Sequence, residues 1–328
     1  MKKIFKLRKL IKNQNLDAYI VPKNDEFFGE YAFPNRLKSI SNFSGSAGFA
    51  IITSALNYLF IDGRYLIQSK MESGKSFKIT EIPYKYPKNV LDVNKIKRIG
   101  YDPSVFTTSV LKRYFGNKFK LISIKKNLID LISLEKKKEK KSFFILDNKT
   151  AGETTSSKIN RLHKIIRKNS AENIFVSAPE NVAWLLNIRG KDNPNSPIPN
   201  ARLILDKNKQ IYLFSDLDKI KKIKKKLNYK KIKFFSFEQF YNVLSNLKAS
   251  SFAIDKLTCS IYNESLINSK FKIKLFEDPI YYLKSIKNKT EIENMKIAHI
   301  KDGAALTKFL YWIKQNKNFG FDELYLEK

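Results

Sequence analysis

The tripeptide Asp62-Gly63-Arg64 has the clearest means of doing chemistry in this sequence. It follows the apolar run Tyr58-Leu59-Phe60-Ile61 and closes a stretch, residues 39–63, that holds no Lys or Arg. An arginine at a strand end, beside a glycine that permits a sharp turn, is placed to grip a carboxylate with its planar fork of donors. The same residues read equally well as a local contact in which Arg64 pairs with Asp62 and fixes the turn. Only 9 of the 63 basic residues are arginine. A chain that uses lysine wherever a positive charge suffices keeps arginine where the fork matters.

Other candidates are thin. His163 and His299 each lack a second histidine three or four residues away, so neither forms a helical metal-ligand pair, and both read as surface or core side chains. Cys259 is the sole cysteine, which excludes disulfides and cysteine-based zinc sites within the chain. Ser44-Gly45-Ser46-Ala47-Gly48 has the look of a phosphate loop. It lacks the Lys-Ser/Thr ending and leads into a strand instead of a helix, so it reads as a tight glycine turn entering a hairpin.

The elements that must position these residues occur twice. Ile4, Leu7, Leu10 and Ile11 mark one face of an amphipathic helix, and Ala18-Tyr19-Ile20-Val21 a buried strand stopped by Pro22. A loop then leads to the hairpin Phe49–Thr53 and Tyr58–Ile61. About 155 residues on, the order returns: a helix face at Ile159, Leu162, Ile165 and Ile166, a strand at Asn173–Val176, and a hairpin at Arg202–Leu205 and Gln210–Phe214. Two diverged copies of one α/β domain follow, the first over 1–135 and the second over 143–278. The charge run Glu135–Lys141 between them reads as a solvated linker, 136–142. After Pro279, Thr290 and Glu293 form a capping box for a helix carrying Ile292, Met295, Leu306, Phe309, Leu310 and Ile313 on its apolar stripe. A further amphipathic segment holds Phe321, Leu324 and Tyr325. Residues 279–328 are too few for a domain of their own, so they read as the start of one that is cut off.

The net charge of +32 raises the question of a nucleic-acid or membrane partner. The excess is carried by lysines scattered through most segments beside abundant Asn and Ile, the mixture an AT-rich genome gives. A solvated basic surface, with no specific nucleic acid, is the expectation. The first residues lack the apolar core of a signal peptide, and residues 39–63 are interrupted by Asn42, Gly45, Gly48 and Asn57. No membrane partner and a cytoplasmic location are expected.

Several phrases resemble the aminopeptidase P (Xaa-Pro aminopeptidase) family. Leu16–Pro22 is similar to its opening strand, Asn42–Gly48 to its "SGFTGSAG" phrase, and Ile61–Tyr65 with Gln68 to its "TDGRY…Q". Ser177–Gly190, followed by Asp192, Pro194 and Pro197, looks like "SALDEIAWLLNLRG", and Lys284–Leu310 like the helix that opens the catalytic domain. The charge run departs from the family's usual R-P-x-x-P segment. The resemblance implies an α/β fold: two tandem creatinase/prolidase N-terminal-like domains, each a mixed β-sheet flanked by helices, plus the opening helices of an incomplete pita-bread domain. It implies a hydrolase in which two divalent metals, commonly Mn²⁺, activate water to cut before proline. The family's ligands, two Asp, one His and two Glu, fall beyond the opening helix and are not in this sequence. The expectation is therefore the non-catalytic front portion of such an enzyme, a fragment without cofactor and inactive alone, which supports substrate access and dimerisation. Proline-containing peptides are the implied partners of the full-length enzyme, a homodimer, and Arg64 its substrate-binding residue here. The alternatives are a non-catalytic peptide- or protein-binding module of the same fold, and a basic nucleic-acid binder.

Overall fold

The structure is a computed structural model and describes residues 2–31, 33–133, 140–320 and 322–326. Its first sheet is built from β1 (Ala18–Pro22), β2 (Phe49–Thr53), β3 (Asn57–Asp62), β4 (Lys78–Ile82), β5 (Arg98–Tyr101) and β6 (Lys120–Ser123). Every residue of β1 and β2 is buried, which is why these segments read as unbroken apolar runs and not as alternating ones: the sheet is covered on both faces. Helix Lys2–Asn13 lays Ile4, Leu7 and Ile11 on one face, and Phe60, Val105 and Phe115 fill the other.

After the short pair β7 (Phe144–Ile145) and β9 (Ile188–Arg189), the second sheet uses β8 (Asn173–Val176), β10 (Ala201–Leu205), β11 (Ile211–Ser215), β12 (Ile232–Phe235), β13 (Ser251–Ile254) and β14 (Lys272–Leu275). The strand orders are 4-3-2-1-5-6 and 12-11-10-8-13-14. In both sheets the first strand pairs antiparallel with the hairpin and parallel with the fifth strand of its unit. The internal repeat expected from the helix–strand–hairpin order is thus present strand for strand.

The repeat extends to a side-chain tie. Arg8 Nε on the first helix donates to Thr53 O at 2.9 Å, holding the β2–β3 turn. His163, on the equivalent helix Thr155–Lys168, meets Lys207 O at 2.9 Å in the β10–β11 turn. The two ties lie about 155 residues apart, the offset of the repeat itself.

The units touch along an edge. Ile261 N and Tyr262 N, at the start of helix Ile261–Asn268, donate to Phe106 O and Pro103 O at 2.8 and 3.0 Å. Thr108 Oγ1 reaches Glu264 Oε2 at 2.6 Å, and the Arg202 side chain donates to Glu26 O. Of the charge run, Glu135–Glu139 lie outside the described residues; Lys140 pairs with Asp216 and Asp218 at 2.8 and 3.0 Å.

The C-terminal segment differs from expectation in two ways. Ile280 and Leu283 of helix Pro279–Ser285 sit in the core of the second unit, past the 278 expected as its end. The helix that follows, Lys289–Gln315, is capped by Asn288 and Glu291, not by Thr290 and Glu293. Asn288 Oδ1 accepts from Glu291 N and Glu291 Oε2 from Asn288 N, both at 2.9 Å, while Asn288 Nδ2 donates to Ala151 O at 2.9 Å. That last bond ties the helix start to the second unit and puts Thr290 inside the helix. Along Lys289–Gln315 no residue is buried, so Met295, Leu306 and Phe309 face solvent. Phe321 lies outside the described residues. Among the described residues no helix is long and apolar enough to cross a membrane.

Candidate functional site

Two segments that looked separate in sequence meet at the end of β3. Ser44 donates through its N–H and its Oγ to the two oxygens of Glu72, at 2.7 and 2.6 Å, and Gln68 Nε2 donates to Ser44 Oγ at 2.8 Å. Ser46 Oγ and Tyr65 Oη lie 2.7 Å apart, and the Phe43 ring meets Tyr65 edge-on at 5.7 Å. The serine-glycine loop therefore serves as a brace for the Asp62–Gln68 segment. Its glycines are required by space: at Gly48, whose φ is +150°, a Cβ would stand 2.8 Å from Phe60 O.

Arg64 sits on the single turn Gly63–Tyr65 with its side chain 73% exposed. Its Nε and Nη2 donate to Asp62 Oδ1 and Oδ2 at 3.1 and 2.7 Å, and its guanidinium lies 5.3 Å from the Tyr65 ring centre. Arg64 holds the Asp62 carboxyl below the usual range, and Asp62 in turn raises Arg64. The geometry leaves Arg64 paired locally and presented to solvent.

The second set of motif residues borders a cleft of about 220 Å³ between the units, lined among others by Asp25, Glu30, Glu180, Asn193 and Ser196. Asp25 is buried and accepts from Phe27 N and Gly29 N at 3.0 and 3.1 Å; burial pushes its carboxyl up. Glu180 accepts from Tyr281 Oη at 2.7 Å at the start of helix Pro179–Leu186. Behind it, Asn181 bridges the buried Asp278 at 2.8 Å and Lys284 at 2.6 Å. Burial pushes the Asp278 carboxyl up to about 6. Within the Trp184–Gly190 phrase, buried Lys158 donates to Trp184 O and Asn187 Oδ1 at 3.0 and 2.7 Å, and desolvation lowers it to about 8.

Two residues not singled out in the sequence hold this region. Buried Arg36 donates to Glu26 Oε1 at 2.7 Å and to Asp130 Oδ1 and Oδ2 at 2.8 and 2.9 Å. The Arg202 guanidinium is withdrawn from water between the rings of Phe27 and Phe237, 4.8 and 5.9 Å away, and burial lowers its pKa. The scarcity of arginine that marked Arg64 applied to both.

These arrangements brace the loops at the end of β3 and along the cleft. Among the described residues no three His, Cys, Asp or Glu side chains converge to hold a metal. His163 is spent on its turn and His299 stands exposed on the long helix. The His, Cys, Asp and Glu side chains among the described residues do not fit a dinuclear centre.

Residues 3–131 and 134–291 each match a model of the Creatinase/Prolidase N-terminal domain. The chain belongs to that family. It is similar to the "Probable Xaa-Pro aminopeptidase P" of Laccaria bicolor, at 31% identity over 97% of this chain and 52% of the relative. It is likewise similar to the "Xaa-Pro aminopeptidase 1" of Dictyostelium discoideum, at 33% over 96% of this chain and 53% of that one. The chain spans about half the length of these curated relatives. Among solved structures it resembles X-prolyl aminopeptidase from Caenorhabditis elegans, described as a cytosolic enzyme with a di-nuclear active site. The TM-score is 0.88 at 24% identity, covering 99% of this chain and 58% of that chain, a likeness that fixes the fold of the tandem family domains.

Proposed function

We propose that this chain acts as the non-catalytic N-terminal portion of an Xaa-Pro aminopeptidase, an enzyme that removes an N-terminal residue preceding proline with two divalent metals, Mn²⁺ by family resemblance. The observation that carries the reading is the alignment of nearly the whole chain, through both tandem domains, with about half of two Xaa-Pro aminopeptidases. In this reading the two units shape access to the peptide, Arg64 contacts it from the end of β3, and the working enzyme is a cytoplasmic homodimer. The basic surface carries no specific nucleic-acid role.

The test fuses this chain, in place of the aligned segment, to the remainder of the Dictyostelium relative. The fusion is expected to release the first residue of an Xaa-Pro tripeptide with Mn²⁺, while this chain alone releases none. Robust release by the chain alone, or a folded dimeric fusion without activity, would count against the proposal.

A further inference from the structure

A second concavity, of about 660 Å³, lies in the first unit between helix Lys2–Asn13 and the β2–β3 turn. Small-molecule pockets usually enclose about 300–1,000 Å³ with mainly apolar walls. Here the walls are Phe5, Leu16, Leu56, Tyr58, Val90 and Ile96. Phe5 and Leu56 stand 62% and 39% exposed at the mouth, apolar surface held open to water.

Four cations line this slot, Arg8, Lys9, Lys12 and Lys95, against two carboxylates, Asp17 and Asp92. Its two carboxylates are occupied by their own chain: Asp17 Oδ2 accepts from the N–H groups of Lys97 and Arg98 at 2.9 and 2.8 Å, and Asp92 Oδ1 from Asn94 N at 2.9 Å. Lys95 stands loosely at 3.9 Å from the other Asp92 oxygen. Arg8 forms the end wall, its Nε and Nη2 donating to Thr53 O and Asn57 Oδ1 at 2.9 and 3.0 Å. Lys9 and Lys12 remain. Among the described residues no carboxylate pairs with either, and Lys9 rests 4.8 Å from the Phe5 ring centre. In the second unit the equivalent place is bridged, because Lys209 Nζ donates to Asn160 Oδ1 at 2.7 Å and Tyr229 Oη to Lys209 O at 2.6 Å.

We propose that this groove binds a small amphipathic anion, a molecule with an apolar chain or ring and one terminal carboxylate. The apolar part lies on Phe5, Leu56 and Tyr58, and the carboxylate is held by Lys9 and Lys12 at the last turns of the helix. A cation of the same shape meets like charge there. The site is independent of the peptidase reading, since it shares no residue with the Arg64 segment or the cleft.

The experiment titrates the full chain with decanoate, kept below its micelle concentration, and follows backbone amide shifts by NMR, with decyltrimethylammonium as the matched cation. Saturable one-to-one binding of decanoate is expected, with shifts centred on residues 5–16 and 53–58. The cation should bind at least ten-fold more weakly. Lys9→Glu with Lys12→Glu should weaken decanoate by about ten-fold or more while the spectrum stays folded, and Leu56→Asp should remove binding. Equal binding of cation and anion would overturn the assignment. So would indifference to the charge reversal, or shifts confined to the exposed face of Lys289–Gln315.

Discussion

The third strand of each sheet ends on the same device and then diverges. Asp62 closes β3 and accepts from Arg64 N at 3.0 Å; Asp216 follows β11 and accepts from Asp218 N at 3.0 Å. Each aspartate caps the turn that leaves its strand, and each has a basic partner, Arg64 at 2.7 Å in one unit and Lys140 at 2.8 Å in the other. Where the first copy has Arg64, two residues after the aspartate, the second has Asp218. The strand-end aspartate is therefore scaffold common to both copies, and the arginine is particular to the first. The helix-to-turn tie shows the same pattern. Arg8 and His163 do one structural job with different chemistry, so His163, a possible ligand by residue type, is accounted for without a metal.

The largest expected effect tests whether the two copies are energetically as alike as their topology. Phe60 of β3 and Phe214 of β11 are both fully buried against aromatic neighbours, Phe49 at 4.8 Å and Phe240 at 5.1 Å. Phe60→Ala and Phe214→Ala should each cost about 3–5 kcal/mol in denaturant unfolding. If one costs less than half the other, the cores are not equivalent. Arg202→Ala comes next. It removes a desolvated guanidinium between two rings and leaves Glu26 O without its donor, an expected loss of about 2–3 kcal/mol. Because Arg202 joins the units, calorimetry should show one unfolding transition splitting toward two. A single undivided transition, merely lowered, would place the coupling in the Ile261–Phe106 edge.

Lys158 gives a smaller effect with a definite sign. Desolvation lowers it to about 8 from 10.5, with Glu291 and Glu153 opposing the shift and Arg189 and Arg161 adding to it. Between about pH 8 and 10.5 the unfolded lysine still holds its proton while the folded one has lost it, so stability rises with pH across that window. Relative to Lys158→Met, the native chain should gain on the order of 1–2 kcal/mol over this range, once solvent screening is allowed for. Taking the difference between the two proteins cancels the buried Tyr19, whose raised pKa works in the opposite direction. A flat difference would mean that Lys158 titrates normally.

The sequence made the sheets legible because their central strands are covered on both faces. Runs such as Ala18–Val21 and Phe49–Ile52 cannot be much else between Gly and Pro punctuation. Helix faces were legible from spacing. What stayed hidden were contacts set by tertiary distance. Glu72, 28 residues from Ser44, clamps the glycine loop, yet nothing in its own neighbourhood marks it. Arg36 reaches Asp130 across 94 residues, and Arg202 reaches Glu26 across 176. The helix cap lies at Asn288 and not at Thr290 because Asn288 and Glu291, three residues apart, close the box themselves, and Asn288 is anchored by Ala151, 137 residues away. Arg64 was legible as a residue type at a strand end, and its local pair with Asp62 was one of the two readings that spacing allowed.

That pair also sets the smallest stability effect and the sharpest use of the comparison. Arg64 is largely exposed, so its ion pair is screened and its removal should leave melting temperature unchanged within error. Asp62→Asn and Asp216→Asn both keep a side-chain oxygen for the cap, and each should lower the melting point only slightly and by similar amounts. The copies should part company in function. Arg64→Lys keeps the charge and loses the fork. In the active fusion with the Dictyostelium catalytic portion, a peptide contact by Arg64 predicts a fall in kcat/KM of about ten-fold, about 1.4 kcal/mol of transition-state stabilisation. Lys140→Ala, which unpairs Asp216 in the second copy, should leave kcat/KM within two-fold. If Arg64→Lys behaves like Lys140→Ala, with near-normal kinetics, the arginine belongs to the turn and both strand ends are scaffold alone.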